Sequence, residues 1–279
     1  MNKFTTMIAA AASLVIASVA STTAVNAGAV LDKVLETKTL TVAVGTDWGT
    51  MSFLNDKHEL DGYDVEVAKG IAEYLGAKVE FVTPSWDIIT SGKWEGRWDV
   101  AMGQMVPTKA RAEKLDFPAV YFYSRNVAII HKDSNATKLS DLDGTTIGVP
   151  ASTVHEYYAK HTLTPDWIGA QPTKFQFTPG EVKTYPTGTI AFDDLRLGGG
   201  VRLDAVLGTQ ESLVNSINAG FPVKQLGEPL FSSPAAIAIL LGDKEFSDKI
   251  AATIQKMKDD GRLSTLSMKW YGVDHSVEK

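Results

Sequence analysis

The chain has 279 residues, with 27 Lys plus Arg against 33 Asp plus Glu for a formal charge of −6, and no cysteine. Disulfide frameworks, thiolate metal sites and cysteine nucleophiles are thereby excluded, and the acidic balance argues against a phosphate-tracking nucleic-acid surface. Hydrophobic residues make up 44% and charged residues 22%, enough for a core over a length that suits one large or two small domains.

Lys3 is the only charge before an apolar, Ala-rich run over residues 7–20, and Val25, Asn26 and Ala27 follow. A basic end, a short apolar stretch and a small-x-small site predict a cleavable secretory signal, cut after Ala27. Ser13, Ser18, Ser21, Thr22 and Thr23 keep the run short of the roughly 18 apolar residues of a spanning helix. No cysteine offers a lipidation site, so the expected product is free in a bacterial periplasm.

Beyond the signal, strand and helix patterns alternate, as in a mostly parallel sheet covered by helices. Leu40, Val42 and Val44 alternate with smaller or polar residues, predicting a strand. Residues 62–75 carry Val65, Ala68, Ile71, Ala72 and Leu75 on one helical face, with Gly76 as the stop. Strands are predicted over 78–82 and 99–102, with helix-like sequence from Ser85 between them, and 127–130 reads as a fully buried strand. A second set begins near Asp141, with a strand over 146–149 and a helix over 153–160. Thr153-x-x-Glu156 has the spacing of a capping box. Residues 161–183, with Pro165, Pro172 and Pro179 and no periodicity, read as a long surface insertion. Strands follow over 203–207 and 235–241, then a helix with Phe246, Ile250, Ile254 and Met257 on one face, ending at Asp260-Gly261.

The common catalytic signatures are missing: no Gly-x-Ser-x-Gly, no Gly-x-x-x-x-Gly-Lys-Ser/Thr and no His-Glu-x-x-His, while Gly198-Gly199-Gly200 precedes a strand and lacks dinucleotide spacing. The five histidines, at 58, 131, 155, 161 and 275, lack ligand spacing and read as surface or capping residues. No metal and no cofactor is expected.

Several short motifs occur in order: Gly62-Tyr63-Asp64-Val65, Trp98-Asp99-Val100, Thr108-Lys109-Ala110-Arg111, Asp116-Phe117-Pro118, Asp141-Leu142-x-Gly144, Ile147-Gly148-Val149, Asp204-Ala205-Val206, Asp260-Gly261-x-Leu263 and Lys269-Trp270-Tyr271-Gly272. Together they give a chain that resembles the family 3 solute-binding proteins of ABC importers, the polar amino acid group. The resemblance implies an α/β, type II periplasmic-binding-protein fold of two lobes joined by two hinge strands. Lobe 1 would hold 28–125 plus 238–279 and lobe 2 126–237, with 127–130 and 237–240 near the crossovers. It also implies a monomer that closes on a small-molecule ligand and hands it to an inner-membrane ABC permease with its ATPase, without chemistry, nucleic acid or membrane insertion.

Site residues follow from the same resemblance. Arg111 matches the arginine that clamps a ligand carboxylate, a role suited to a guanidinium that donates two parallel bonds; the alternative is a solvated arginine. Thr108 either contacts ligand or caps the helix carrying Arg111. Trp86 is either an aromatic wall for the ligand or lobe packing. Asp47 either holds a distal ligand cation or makes turn bonds. Ala151, Ser152 and Thr153 stand at a helix start whose free N–H groups would receive a carboxylate, although the glycine usual there is missing.

Three departures stand out. Thr50 replaces an aromatic lid, leaving Trp48 or Phe53 to take its place. Val106 replaces a hydroxyl residue and offers only its backbone. Thr209 replaces the acid that binds the ligand α-ammonium, with Glu211, two residues on and on the same side of an extended segment, as a substitute. The expected ligand is therefore an amino-acid derivative less dependent on a primary ammonium: an opine, a cyclic imino acid or an ectoine-like solute. A cyclohexadienyl-type dehydratase on the same fold is the enzymatic alternative, and a sensory docking protein a third.

Overall fold

The computed structural model describes residues 29–166 and 170–278. The signal segment and its cleavage site after Ala27 lie outside the described residues. Among those described, no helix is long and apolar enough to cross a membrane.

The first half of the chain builds α1 (Ala29–Thr37), β1 (Thr39–Ala43), β2 (Phe53–Leu54), β3 (Leu60–Asp61), α2 (Tyr63–Tyr74), β4 (Lys78–Val82), α3 (Trp86–Thr90), β5 (Val100–Met105), α4 (Lys109–Ala112), β6 (Leu115–Asp116) and β7 (Val120–His131). Strand β1 lies parallel between β4 and β5, as right-handed crossovers through helices require. Helix α2 forms where the sequence predicts it. Gly62 precedes it at φ 126°, where a Cβ would stand 2.5 Å from the Met51 carbonyl oxygen, so a larger residue would force the entry apart.

The second half adds β8 (Thr146–Pro150), α5 (Val154–Ala159), β9 (Glu181–Tyr185), α6 (Gly188–Leu195), β10 (Ala205–Thr209), α7 (Gln210–Asn218), β11 (Val223–Leu240), α8 (Lys244–Asp259) and α9 (Arg262–Tyr271). Sheet order is β4-β1-β5-β11-β7-β10-β8-β9, with β6 against β11. Two strands make this a two-lobed molecule. β7 and β11 are 12 and 18 residues long, two to three times the usual strand, and pair antiparallel from Val223 with His131 to Ala236 with Val120. Their outer parts belong to different lobes: β11 meets β5 and β6 at one end, and β7 meets β10 at the other.

Each lobe has its own apolar interior. Leu40, Val42, Ile71, Phe122, Ile237 and Ile254 pack in the first. In the second, Ile130, Ile147, Tyr158 and Leu207 cover one sheet face, and Val127, Ile129, Phe192 and Val206 the other. The return crossover comes earlier than the sequence suggests, because Ala235 and Ile237 already pack in the first lobe's core. Residues 127–130 likewise lie inside the second lobe's sheet, paired to β10.

The 161–183 segment is more than a surface insertion. Leu163 and Phe177 are buried in the second core, and β9 begins within it. Thr108 and Pro165 form an isolated β-bridge, and Asp166 N–H donates to the Pro107 carbonyl at 3.1 Å, so residues 164–166 strap the second lobe to the loop carrying Arg111.

Candidate functional site

A cavity of about 330 Å³ lies between the lobes, walled by β5, α3 and the 47–51 turn on one side and by β8, α5, α6, β10 and α7 on the other. Its aromatic side is made by Trp48 and Trp86, whose rings meet edge to face at 5.3 Å and 88°. Gly103 lets both approach: at φ +146°, a Cβ there would stand 2.7 Å from Cζ3 of each indole. Trp48 and Thr50 both line the cavity, whereas Phe53 packs on Trp270 and is not part of the wall.

Arg111 is the electrostatic centre of the site. It is 3% exposed, and its Cζ lies 5.4 Å from the Trp86 ring centroid and 5.8 Å from that of Tyr157. Nη1 donates to the Val106 carbonyl at 2.7 Å and Nη2 to the Ser152 carbonyl at 2.8 Å. Nε is buried without a hydrogen-bond partner, and no ion pair to Arg111 exists among the described residues. Burial lowers its pKa to about 10, which still leaves it a cation at neutral pH. A desolvated cation with Nε unpaired suits a carboxylate, whose oxygens accept charge-assisted bonds.

The helix starts are largely self-satisfied. Thr108 caps α4 by accepting from Arg111 N–H at 3.4 Å and is not part of the cavity wall, so of its two expected roles the structure shows the cap. Thr153 caps α5, accepting from Glu156 N–H at 3.4 Å and donating to the Pro150 carbonyl at 2.7 Å. The Glu156 carboxylate reaches one residue further than a capping box requires and takes the Ser152 N–H at 2.5 Å. That corrects the expectation for Ser152: its amide is occupied, and it acts through its carbonyl, which accepts from Trp86 Nε1 at 3.0 Å as well as from Arg111. Ser152 adopts φ 59°, the left-handed conformation that suits the missing glycine.

Asp47 and Thr50 fasten the rim. Asp47 accepts from the Thr187 and Thr189 hydroxyls at 3.3 and 3.1 Å, and the Thr50 hydroxyl accepts from Asn215 Nδ2 at 3.2 Å, all across the cleft. Thr209 lines the cavity, but its hydroxyl accepts from Ser212 N–H at 3.1 Å while Ser212 Oγ accepts from Thr209 N–H at 3.0 Å. Glu211 is on helix α7 rather than an extended segment, yet it too lines the cavity. Burial pushes its carboxyl pKa up, with its own backbone N–H and His275 opposing. His275 Nε2 lies 3.3 Å from Glu211 Oε1.

Three wall or support residues were not expected. His155 lines the cavity with neither ring nitrogen in a hydrogen bond of good geometry; burial lowers its pKa to about 4, with the Gly208 carbonyl opposing and Arg111 adding to the effect. Gln104, at φ 49°, is held by its N–H to Tyr121 Oη at 3.0 Å and by its Nε2 to Tyr271 Oη at 2.9 Å. Behind it Tyr121 donates to the fully buried Asp64 at 2.8 Å. No group of His, Asp and Glu suited to a metal occurs among the described residues.

Comparison with known proteins agrees with this architecture. The L-cystine-binding protein TcyJ of Escherichia coli (strain K12) is 29% identical over 250 residues, covering 88% of this chain and 86% of that protein. The crystal structure of the ancestral amino acid-binding protein AncCDT-1, a precursor of cyclohexadienyl dehydratase, superposes with a TM-score of 0.74 at 26% identity over 86% of this chain and 99% of that one. An ancestral arginine-binding protein bound to arginine gives 0.72 at 29% identity, over 84% and 99%. Residues 40–273 match a single family description, and the chain belongs to the bacterial extracellular solute-binding proteins, family 3.

Proposed function

We propose that this protein is the periplasmic binding component of an ABC importer for a small carboxylate-bearing solute, an amino acid or amino-acid derivative. The observation that carries the reading is Arg111, a buried cation with no acidic partner among the described residues and with Nε unpaired, set between two lobes. Relatives described as cystine- and arginine-binding proteins support the amino-acid class. The commitment of Thr209 to its own helix cap supports the finer class: an opine, cyclic imino acid or ectoine-like solute, whose nitrogen asks less of the wall than a primary ammonium does.

The two lobes rotate about β7 and β11. The closed form is held by Asp47 with Thr187 and Thr189, by Thr50 with Asn215, and by Trp86 and Arg111 with Ser152. A ligand touching both sides shifts the open–closed equilibrium by its differential affinity, and a permease with its ATPase reads the closed monomer. Relatives described as binding proteins favour this reading over the dehydratase alternative. The test is heat stabilisation by a panel of amino acids, opines, cyclic imino acids and ectoine, with sugars as controls. Stabilisation by sugars alone contradicts the reading.

A further inference from the structure

Just before α5, the donors expected to receive a carboxylate are already engaged. The Ser152 N–H goes to the Glu156 carboxylate at 2.5 Å, and the Thr153 hydroxyl gives its hydrogen to the Pro150 carbonyl at 2.7 Å. Other hydroxyls of the second-lobe wall are turned elsewhere: Thr187 and Thr189 to Asp47, Ser212 to the Thr209 carbonyl at 2.7 Å, and Ser216 to the Ser212 carbonyl at 2.8 Å. His155 differs from these. It sits on α5, lines the cavity and is 9% exposed, and neither Nδ1 nor Nε2 makes a hydrogen bond of good geometry.

What such a ring can bind follows from its charge and its neighbour. Burial lowers its pKa to about 4, with the Gly208 carbonyl opposing and the Arg111 charge adding to the effect, so the imidazole is uncharged at neutral pH. In either tautomer it carries one N–H donor. Arg111, which comes from the first lobe and lines the same cavity, is likewise buried, with Nε unpaired. A ligand cation beside these two groups would face the guanidinium. A negatively charged oxygen instead accepts from the imidazole N–H and is attracted by the guanidinium at the same time, and a carboxylate has an oxygen for each.

We propose that His155 supplies the second-lobe half of the carboxylate site: its ring N–H donates to one oxygen of the solute's carboxylate while Arg111 of the first lobe binds the other. This rests on the carboxylate reading of the cleft and deepens it, by placing a specificity residue where the Ser152 amide and the Thr153 hydroxyl are already taken. Because the two donors stand on different lobes, the carboxylate that joins them is also a tie across the cleft, so recognition of the acid and closure go together. A solute without the carboxylate leaves both the imidazole N–H and the Arg111 Nε buried and unpaired, and gains nothing from this pair.

The test uses three carboxylates, L-arginine, L-proline and ectoine, with agmatine as the analogue of arginine that lacks the carboxylate. Affinities are measured calorimetrically on the wild type, His155→Phe and His155→Gln, each checked by a thermal melt. Phe keeps a ring and removes the donor; Gln keeps an amide N–H. For each acid that the wild type binds, affinity should fall about tenfold or more in His155→Phe and less in His155→Gln, with agmatine unaffected by either change. In parallel, wild-type protein labelled with nitrogen-15 at histidine should show the His155 ring N–H, assigned by its loss in the variants, moving downfield when the acid is added and staying in place with agmatine. Unchanged acid affinity in a folded His155→Phe, or a His155 ring signal that a bound acid does not move, overturns the proposal and leaves Arg111 and the carboxylate reading standing. A wild type that none of the three acids binds overturns the carboxylate reading, and the proposal with it.

Discussion

Replacing Arg111 by lysine keeps the positive charge and removes the fork. In the wild type, two guanidinium nitrogens hold the carbonyls of Val106 and Ser152, one from each lobe, while Nε is buried without a hydrogen-bond partner. A lysine ammonium is a single point donor group: it can hold one carbonyl and lean toward a ligand, but it cannot give a carboxylate two parallel bonds. Losing one charge-assisted bond costs about 1.5–3 kcal/mol, a rise in Kd of roughly 10- to 150-fold. The variant should be measured by titration calorimetry with whichever solute stabilises the wild type, beside a thermal melt to show that it folds. A folded Arg111→Lys protein with wild-type affinity would remove Arg111 from the site and refute the carboxylate assignment.

Two further substitutions probe the support of the cleft. Asp64 is fully buried and its pKa is raised from 3.8 to about 7, chiefly by desolvation, against the hydrogen bond from Tyr121. A folded-state pKa above the unfolded one gives stability that is complete below about pH 4 and lost as pH rises through about 7, an effect on the order of 4 kcal/mol. Asp64→Asn should lack that decline, and parallel unfolding profiles of variant and wild type from pH 4 to 8 would contradict it. Gly103→Ala places a methyl 2.7 Å from both Trp48 and Trp86, so it should cost about 1–3 kcal/mol in urea unfolding and weaken binding by breaking the aromatic wall. Wild-type affinity and tryptophan fluorescence would show that the wall tolerates the change.

The elements with long, regular apolar stripes were legible in the sequence: α2, β4, β8 and α8 lie close to where periodicity puts them. The hinge strands were visible only in part, because polar residues such as Ser124, Arg125, Asn126 and Ser233 interrupt the apolar pattern where each strand leaves one core for the other. Helices α6 and α7 escaped notice for a different reason. They are short, and α7 opens Gln210-Glu211-Ser212, a polar start whose signal is a Thr209–Ser212 capping box rather than a stripe. Strand alternation therefore misplaces the side of Glu211, which α7 sets.

In the site, the spacing Thr108-x-x-Arg111 places Arg111 in α4 behind its own cap, whereas Trp48 and Trp86 come from separate elements and meet only in the fold. The roles of Ser152 and Thr108 were not legible in the sequence, since they depend on which backbone group an adjacent cap consumes. The partnership of Glu211 with His275 was beyond reach for the plainest reason: it joins α7 to a tail that only the fold brings alongside.

The most direct test of the account is the unfolding temperature of the purified wild-type protein against the panel of carboxylate-bearing amino acids and derivatives, each titrated in concentration. The account predicts that at least one of them raises stability by about 2.7 kcal/mol at 100 times its Kd, and that sugars and uncharged amides do not. Stabilisation confined to solutes without a carboxylate would contradict it.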